Sequence, residues 1–172
     1  MPMESTKPEA QENTNLVFLG KSRPKLQVGD VFAFRLLDGP YRFGRVIIPD
    51  IKDSPLSKTN LVYIYSATSN NCDRPPLAEM TLDHLLVSPI FTNRQGWIRG
   101  YFVNVAHTEI GPEDQFDDYC FESVVMDRHW YFDLHGNRIP ERFEPCGTWG
   151  VASHRTVDDL VSEAIGLPLA PD

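Results

Sequence analysis

Three things are scarce in this chain: long hydrophobic runs, positive charge and cysteine. No stretch approaches the roughly 18 apolar residues that a bilayer-spanning helix needs, so no membrane partner is expected. Lys and Arg total 16 against 24 Asp and Glu, a formal net charge of −8. A chain of that sign is poorly suited to a phosphate backbone, which is bound by Lys/Arg clusters, so no nucleic acid is expected either. It suits a basic partner, because complementary fields steer encounter. Cys72, Cys120 and Cys146 cannot all pair within one chain, and they form no C-x-x-C. They are expected as reduced thiols in the cytoplasm. The opening "MPMESTKPEAQENTN" has no basic segment leading an apolar one, so no secretory signal is expected.

The common catalytic signatures are also missing. There is no H-x-H, H-E-x-x-H, G-x-S-x-G, P-loop or G-x-G-x-x-G. His129, Tyr131, Asp133 and His135 share one face of an extended segment. At about 3.3 Å per residue, however, the two histidines stand on the order of 20 Å apart, too far for one zinc ion. A metal site would otherwise have to be assembled from the distant His84, His107 and His154, for which the sequence offers no support. Cys120 sits in "DDYCFE", where Asp117, Asp118 and Glu122 would raise its pKa and weaken it as a nucleophile. Cys146 in "EPCGTW" has no base nearby in sequence, although His154 could reach it in space. No cofactor or metal is expected.

What is present is the pattern of a globular protein. The 172 residues are 41% hydrophobic, enough for one core. Residues 1–20 are read as a flexible tail, in which "NLVFLG" (15–20) is the part able to dock, and residues 21–172 as a single domain. Residues 31–37, 41–48 and 60–67 read as strands. "TLDHLLV" (81–87) has the spacing of a short helix capped by Thr81. "GWIRGYFVNV" (96–105) alternates like a long strand, which would put Trp97, Arg99, Tyr101 and Val103 on one face. Residues 121–126 and 129–134 read as two more strands, and "HGN" as a turn. "HRTVDDLVSEAIGLP" is helical: Thr156 caps, Asp158 and Asp159 lie in the first turn, and Val157, Leu160, Val161, Ala164 and Ile165 form one stripe. The expected class is α+β, mainly β: a curved antiparallel sheet or half-barrel, with a short middle helix and a C-terminal helix packed on it.

"VFAFRLLDGPYRFGRVII" (31–48) is a hairpin with a complication. Pro40 cannot donate the closing hydrogen bond of a tight Asp38-Gly39 turn, which favours a four-residue loop closed by Leu36 and Tyr41. That register pairs Phe34 with Phe43, Phe32 with Arg45, Ala33 with Gly44 and Arg35 with Arg42. Phe32, Phe34, Leu36, Tyr41 and Phe43 would then form the core face. The opposite face would carry a like-charge arginine pair beside a flat Ala33/Gly44 patch. Either nearby carboxylates neutralise those arginines or an anionic ligand does.

Two surfaces could bind. "NRQGWIRGYF" (93–102) combines Arg94 and Arg99 with Trp97 and Tyr101, the make-up of a base-stacking platform or of an ordinary cation–π contact. The stronger feature runs from Glu109 to Asp127. It carries Glu109, Glu113, Asp114, Asp117, Asp118, Glu122 and Asp127 with no Lys or Arg, and Phe116, Tyr119 and Phe121 lie among them. A solvated acidic loop would look like this. So would an interface whose aromatic anchors sit in an acidic rim facing a basic protein.

Taken in order, "VGDVFAFRLLDGPYRFGRVI" and the later "DLHGNRIPERFEPCGTWGVAS" (133–153) resemble the immunity protein 26 family of bacterial polymorphic-toxin systems. Val28, Gly29, Asp30, Gly39, Gly44, Arg45, Val46, Gly136, Ile139, Pro140 and Trp149 carry the resemblance, which covers roughly residues 25–167. It implies a small cytoplasmic protein, not an enzyme, that neutralises a cognate toxin by stoichiometric binding. Binding residues are then expected in the acidic stretch: Glu113, Asp114, Phe116, Asp117, Asp118, Tyr119, Phe121 and Glu122. Some relatives carry a phosphotriesterase-like label, so the alternative is a metal-dependent hydrolase.

Overall fold

The run Val-Phe-Ala-Phe at 31–34 is apolar at every position, and its four side chains are all fully buried. A strand with that composition must be covered on both faces, and the computed structural model, which describes residues 13–52 and 54–172, covers it so. β1 (Asp30–Arg35), β2 (Tyr41–Ile48), β3 (Asn60–Ser69), β4 (Ile90–Thr92) and β5 (Val103–His107) form one antiparallel sheet in the order β4-β3-β2-β1-β5. The β1–β5 and β2–β3 pairings carry register shifts, of the kind by which bulges bend strands. β6 (Cys120–Val125), β7 (Arg128–Phe132), β8 (Arg138–Ile139) and β9 (Cys146–Thr148) form a second sheet in the order β8-β7-β6-β9. Its β6–β9 pair is parallel. The class is α+β and mainly β, with the strands divided between two sheets.

One face of the large sheet contributes Phe32, Phe34, Val46, Val62 and Ile64 to a core completed by Trp97, Phe102, Val157 and Val161. The other contributes Val31, Ala33, Phe43, Tyr63 and Tyr65 to a core that reaches Phe121 of the small sheet. The apolar stripe of α2 (His154–Ile165) supplies Val157 and Val161. Ser153, rather than Thr156, caps this helix, its side chain accepting from the Thr156 N–H at 3.3 Å. Asp158 therefore lies beyond the first turn and is buried. It accepts from Thr14 Oγ1 and the Asn15 N–H, both at 2.8 Å, and from Ser162 Oγ at 2.9 Å. The helix ends at Gly166, whose φ is +78°.

The first hairpin differs from the expected register by one residue. Phe32 lies opposite Gly44, Ala33 opposite Phe43, Phe34 opposite Arg42 and Arg35 opposite Tyr41. Leu37 takes φ +48° and adds a residue to the loop, and a one-residue slip exchanges faces. Phe43 thus joins the second core, not the first. The flat patch does not exist: the Phe32 ring fills the space over Gly44. The arginines do not pair. The Arg35 side chain donates through Nε to the Gly39 carbonyl at 2.7 Å and lies 5.5 Å over the Tyr41 ring. "NLVFLG" docks beside this loop, where Leu16 bridges Leu36 and the Leu37 N–H donates to the Asn15 carbonyl at 2.9 Å. The earlier part of the expected tail, residues 1–12, lies outside the described residues.

Two other expectations fail for local reasons. Residues 81–87 form only a 3-10 turn at Leu82–His84, and Thr81 Oγ1 bonds His84 Nδ1 at 2.8 Å instead of capping. Residues 96–105 are not one strand. Gln95–Ile98 is a single helical turn, α1, followed by Gly100 at φ +88°, a conformation that breaks a strand.

Candidate functional site

The acidic stretch is anchored where Pro112–Asp114 makes a 3-10 turn. Asp114 accepts from the Gly111 N–H at 2.9 Å through one carboxylate oxygen and meets Arg45 Nη1 at 3.3 Å through the other. Arg45 is buried on β2 and its guanidinium lies 5.6 Å over the Tyr65 ring. Asp114 is therefore a structural residue, the carboxylate partner of a buried arginine.

The aromatic residues divide. Phe121 is fully buried, 4.4 Å from the Phe91 ring centroid, and presents nothing to a partner. Phe116 and Tyr119 are half-buried and pack against the second core. Phe116 lies edge-on to Tyr63 at 5.8 Å, and the hydroxyls of Tyr119 and Tyr63 share a short hydrogen bond. Burial pushes the phenol pKa of Tyr63 and Tyr119 up, and that of Tyr65 up to about 12. These three hydroxyls stay neutral donors across the physiological range.

Glu122 is half-buried and accepts from His129 Nδ1 across the β6–β7 ladder, with Arg142 Nε at 3.7 Å. That leaves Glu113, Asp117 and Asp118 of the eight expected contact residues exposed, joined by Glu109. No ion pair is recorded for these four among the described residues. The structure thus brings three exposed carboxylates to a loop held from beneath by Arg45–Asp114 and Tyr63–Tyr119. Sequence reasoning missed Arg45 and Tyr63 as the anchors. The available signal was an arginine and a tyrosine at inward positions of otherwise apolar strands, "FGRVI" and "LVYIY".

The basic-aromatic segment does not form a stacking surface. Trp97 is fully buried against Phe32 at 5.0 Å, and its indole N–H donates to Asn104 Oδ1 at 2.9 Å. Tyr101 stacks on His154 at 5.3 Å. Arg94 donates to the Pro24 carbonyl at 2.6 Å. Among the described residues, no three His, Cys, Asp or Glu side chains converge as a metal would require. Nor is any helix long and apolar enough to cross a membrane.

A cavity of about 350 Å³ opens between the sheets and α2, lined by Val87, Ile90, Phe91, Cys146, Val151 and Leu160 among others. Nothing in the sequence pattern pointed to it, because its walls come from two stretches far apart in the chain, 87–91 and 146–160. Compared with known proteins, residues 27–131 match the family model described as Immunity protein 26. No curated protein and no solved structure matches the chain.

Proposed function

The chain belongs to the immunity protein 26 family, and on that premise we propose that it neutralises a cognate toxin in the cytoplasm by direct stoichiometric binding, without turnover. The contact surface is the acidic loop. Glu113, Asp117 and Asp118 meet basic residues of the toxin, and the exposed edges of Phe116 and Tyr119 pack between them. The observation that carries this assignment is the division of labour within the loop. Asp114 and Tyr119 hold it to the core, while Glu113, Asp117 and Asp118, one to four residues from Asp114, are exposed and form no ion pair among the described residues. Three like charges close together repel, and that repulsion is relieved when the surface meets opposite charge on a partner.

The test is co-expression with the toxic product of the adjacent reading frame, scoring growth and co-purification. The native chain restores growth and co-purifies with the toxin. A triple variant, Glu113→Gln, Asp117→Asn and Asp118→Asn, binds at least tenfold more weakly at low salt, with a shallower salt dependence and a thermal stability no lower than the native chain's. Failure of the native chain to rescue growth overturns the function. Rescue with unchanged affinity in the variant overturns the surface.

A further inference from the structure

Cys120 and Cys146 lie directly opposite each other on the parallel pair β6–β9, and their sulfur atoms are 3.0 Å apart. Twenty-six positions of sequence separate them. Directly opposed residues on neighbouring strands have the Cα spacing that a disulfide accepts without backbone movement. Their accessibilities differ in a useful way. Cys120 is 1% exposed, whereas Cys146 is half-buried and forms part of the wall of the cavity. Cys72, the third cysteine, lies on the loop between β3 and β4, where its thiol contacts Asp73.

We propose that Cys146 and Cys120 are a redox-active dithiol, a covalent site that exchanges with small disulfides of the glutathione class through the cavity. The Cys146 thiolate attacks one sulfur of the small disulfide RSSR, forming a Cys146–S–S–R bond and releasing RS⁻. The Cys120 thiolate then attacks Cys146 Sγ, forming the Cys120–Cys146 bond and expelling the second RS⁻. The two thiol protons end on the two RSH products, so the dithiol is oxidised by two electrons and one RSSR is reduced. Burial of Cys120 fixes the order: only Cys146 meets the reagent, and only Cys146 meets Cys120. Glu122 and Arg142 are the charged side chains near the pair, and burial pushes the Cys146 thiol up to about 12. Exchange is therefore slow at neutral pH and accelerates as pH rises.

The bond would act on more than β9. Beyond β9 the chain runs to Ala152, whose N–H donates to the Phe91 carbonyl of the large sheet at 2.7 Å, and then into α2. Without the cross-link, β9 is held to β6 by three residues of parallel ladder. With it, the wall of the cavity is fastened to the second core.

Full-length Cys72→Ser protein, which retains the pair, is incubated with oxidised glutathione at pH 8.5. The proposal predicts loss of both remaining thiols, no retained glutathione and one peptide link joining Cys120 to Cys146. The product stays monomeric, and its melting midpoint rises by roughly 5–10 °C. Adding Cys120→Ser leaves Cys146 carrying one glutathione. Adding Cys146→Ser instead leaves Cys120 unmodified in the folded protein. Two persistent thiols in Cys72→Ser, two retained glutathiones, or an intermolecular bond overturn the proposal. None of these measurements involves the toxin, so they stand apart from the fate of the acidic-loop assignment.

Discussion

Arg45 of β2 and Asp114 of the acidic loop are ion-paired at 3.3 Å, with side-chain exposures of 5% and 17%. The pair ties the stretch expected to meet a partner to the centre of the large sheet. Removing one member of such a pair leaves a buried charge unmatched, which typically costs about 3–5 kcal/mol. Because Asp114 keeps some contact with water, Asp114→Ala is expected to lower stability by about 2–3 kcal/mol in urea titration. Arg45→Met in the same chain removes the orphaned charge and recovers part of that loss. A single-variant effect below about 0.5 kcal/mol would show that the pair is not an anchor.

Gly44 accommodates an aromatic ring. A Cβ built on it would sit 2.2 Å from Phe32 Cζ, at the centre of a sheet covered on both faces. Neither strand can shift freely, since β2 is paired on both sides. Gly44→Ala is expected to lose about 2–3 kcal/mol or more from overpacking, a fall of roughly 5–10 °C in melting midpoint. Ala in place of Gly39, which lies in the exposed loop, should be tolerated far better. Equal effects at the two positions would contradict the packing argument.

These two sites also mark how far the sequence could be read. The strands read at 31–37, 41–48, 60–67, 121–126 and 129–134, which the structure places to within two residues at each end, the C-terminal helix and the mainly β class were legible because their apolar pattern is local. The register of the first hairpin was not, because it depends on Leu37 adopting a left-handed conformation while Asn15–Val17 pair with the loop. Trp97 was placed on a strand surface because alternation in "GWIRGYF" mimics β-structure. Gly96 and Gly100 break that segment, and long-range packing on Phe32 buries the indole. The acidic character of 109–127 was plain in the composition, but its sorting into anchors and exposed charges required knowing what lay beneath it. The Cys120–Cys146 approach was invisible for the same reason, since β6 and β9 are distant in sequence and meet only as neighbouring strands of the folded sheet.

The buried tyrosines predict an alkaline limit to stability. Tyr65 has its pKa pushed from an ordinary value near 10 up to about 12, with burial as the largest cause, and burial also raises Tyr63 and Tyr119. A raised acid holds its proton in the folded state after the unfolded state has released it. The stabilisation is therefore complete below pH 10 and is lost as pH rises through 12, about 2–3 kcal/mol for Tyr65 alone. Unfolding free energies measured from pH 8 to 12 should fall steeply above pH 10, together with the appearance of tyrosinate absorbance. Tyr65→Phe should flatten that slope. A profile identical to that of the native chain would mean that the hydroxyl is not protected by the fold.

The β6–β7 turn carries a conformational strain. Met126 and Asp127 both take positive φ, +50° and +62°, where side chains with a Cβ are disfavoured. Met126 is 91% exposed, so burial returns nothing for that strain. Tight hairpins of this twist prefer Asn-Gly or Asp-Gly at the two positions. Asp127→Gly with Met126→Asn is expected to raise stability by about 1 kcal/mol, because the new residues relieve the left-handed strain and no packing is lost. Chemical denaturation of the double variant measures it directly. A destabilised double variant would mean that Met126 contributes to the fold through contacts that its exposure does not suggest.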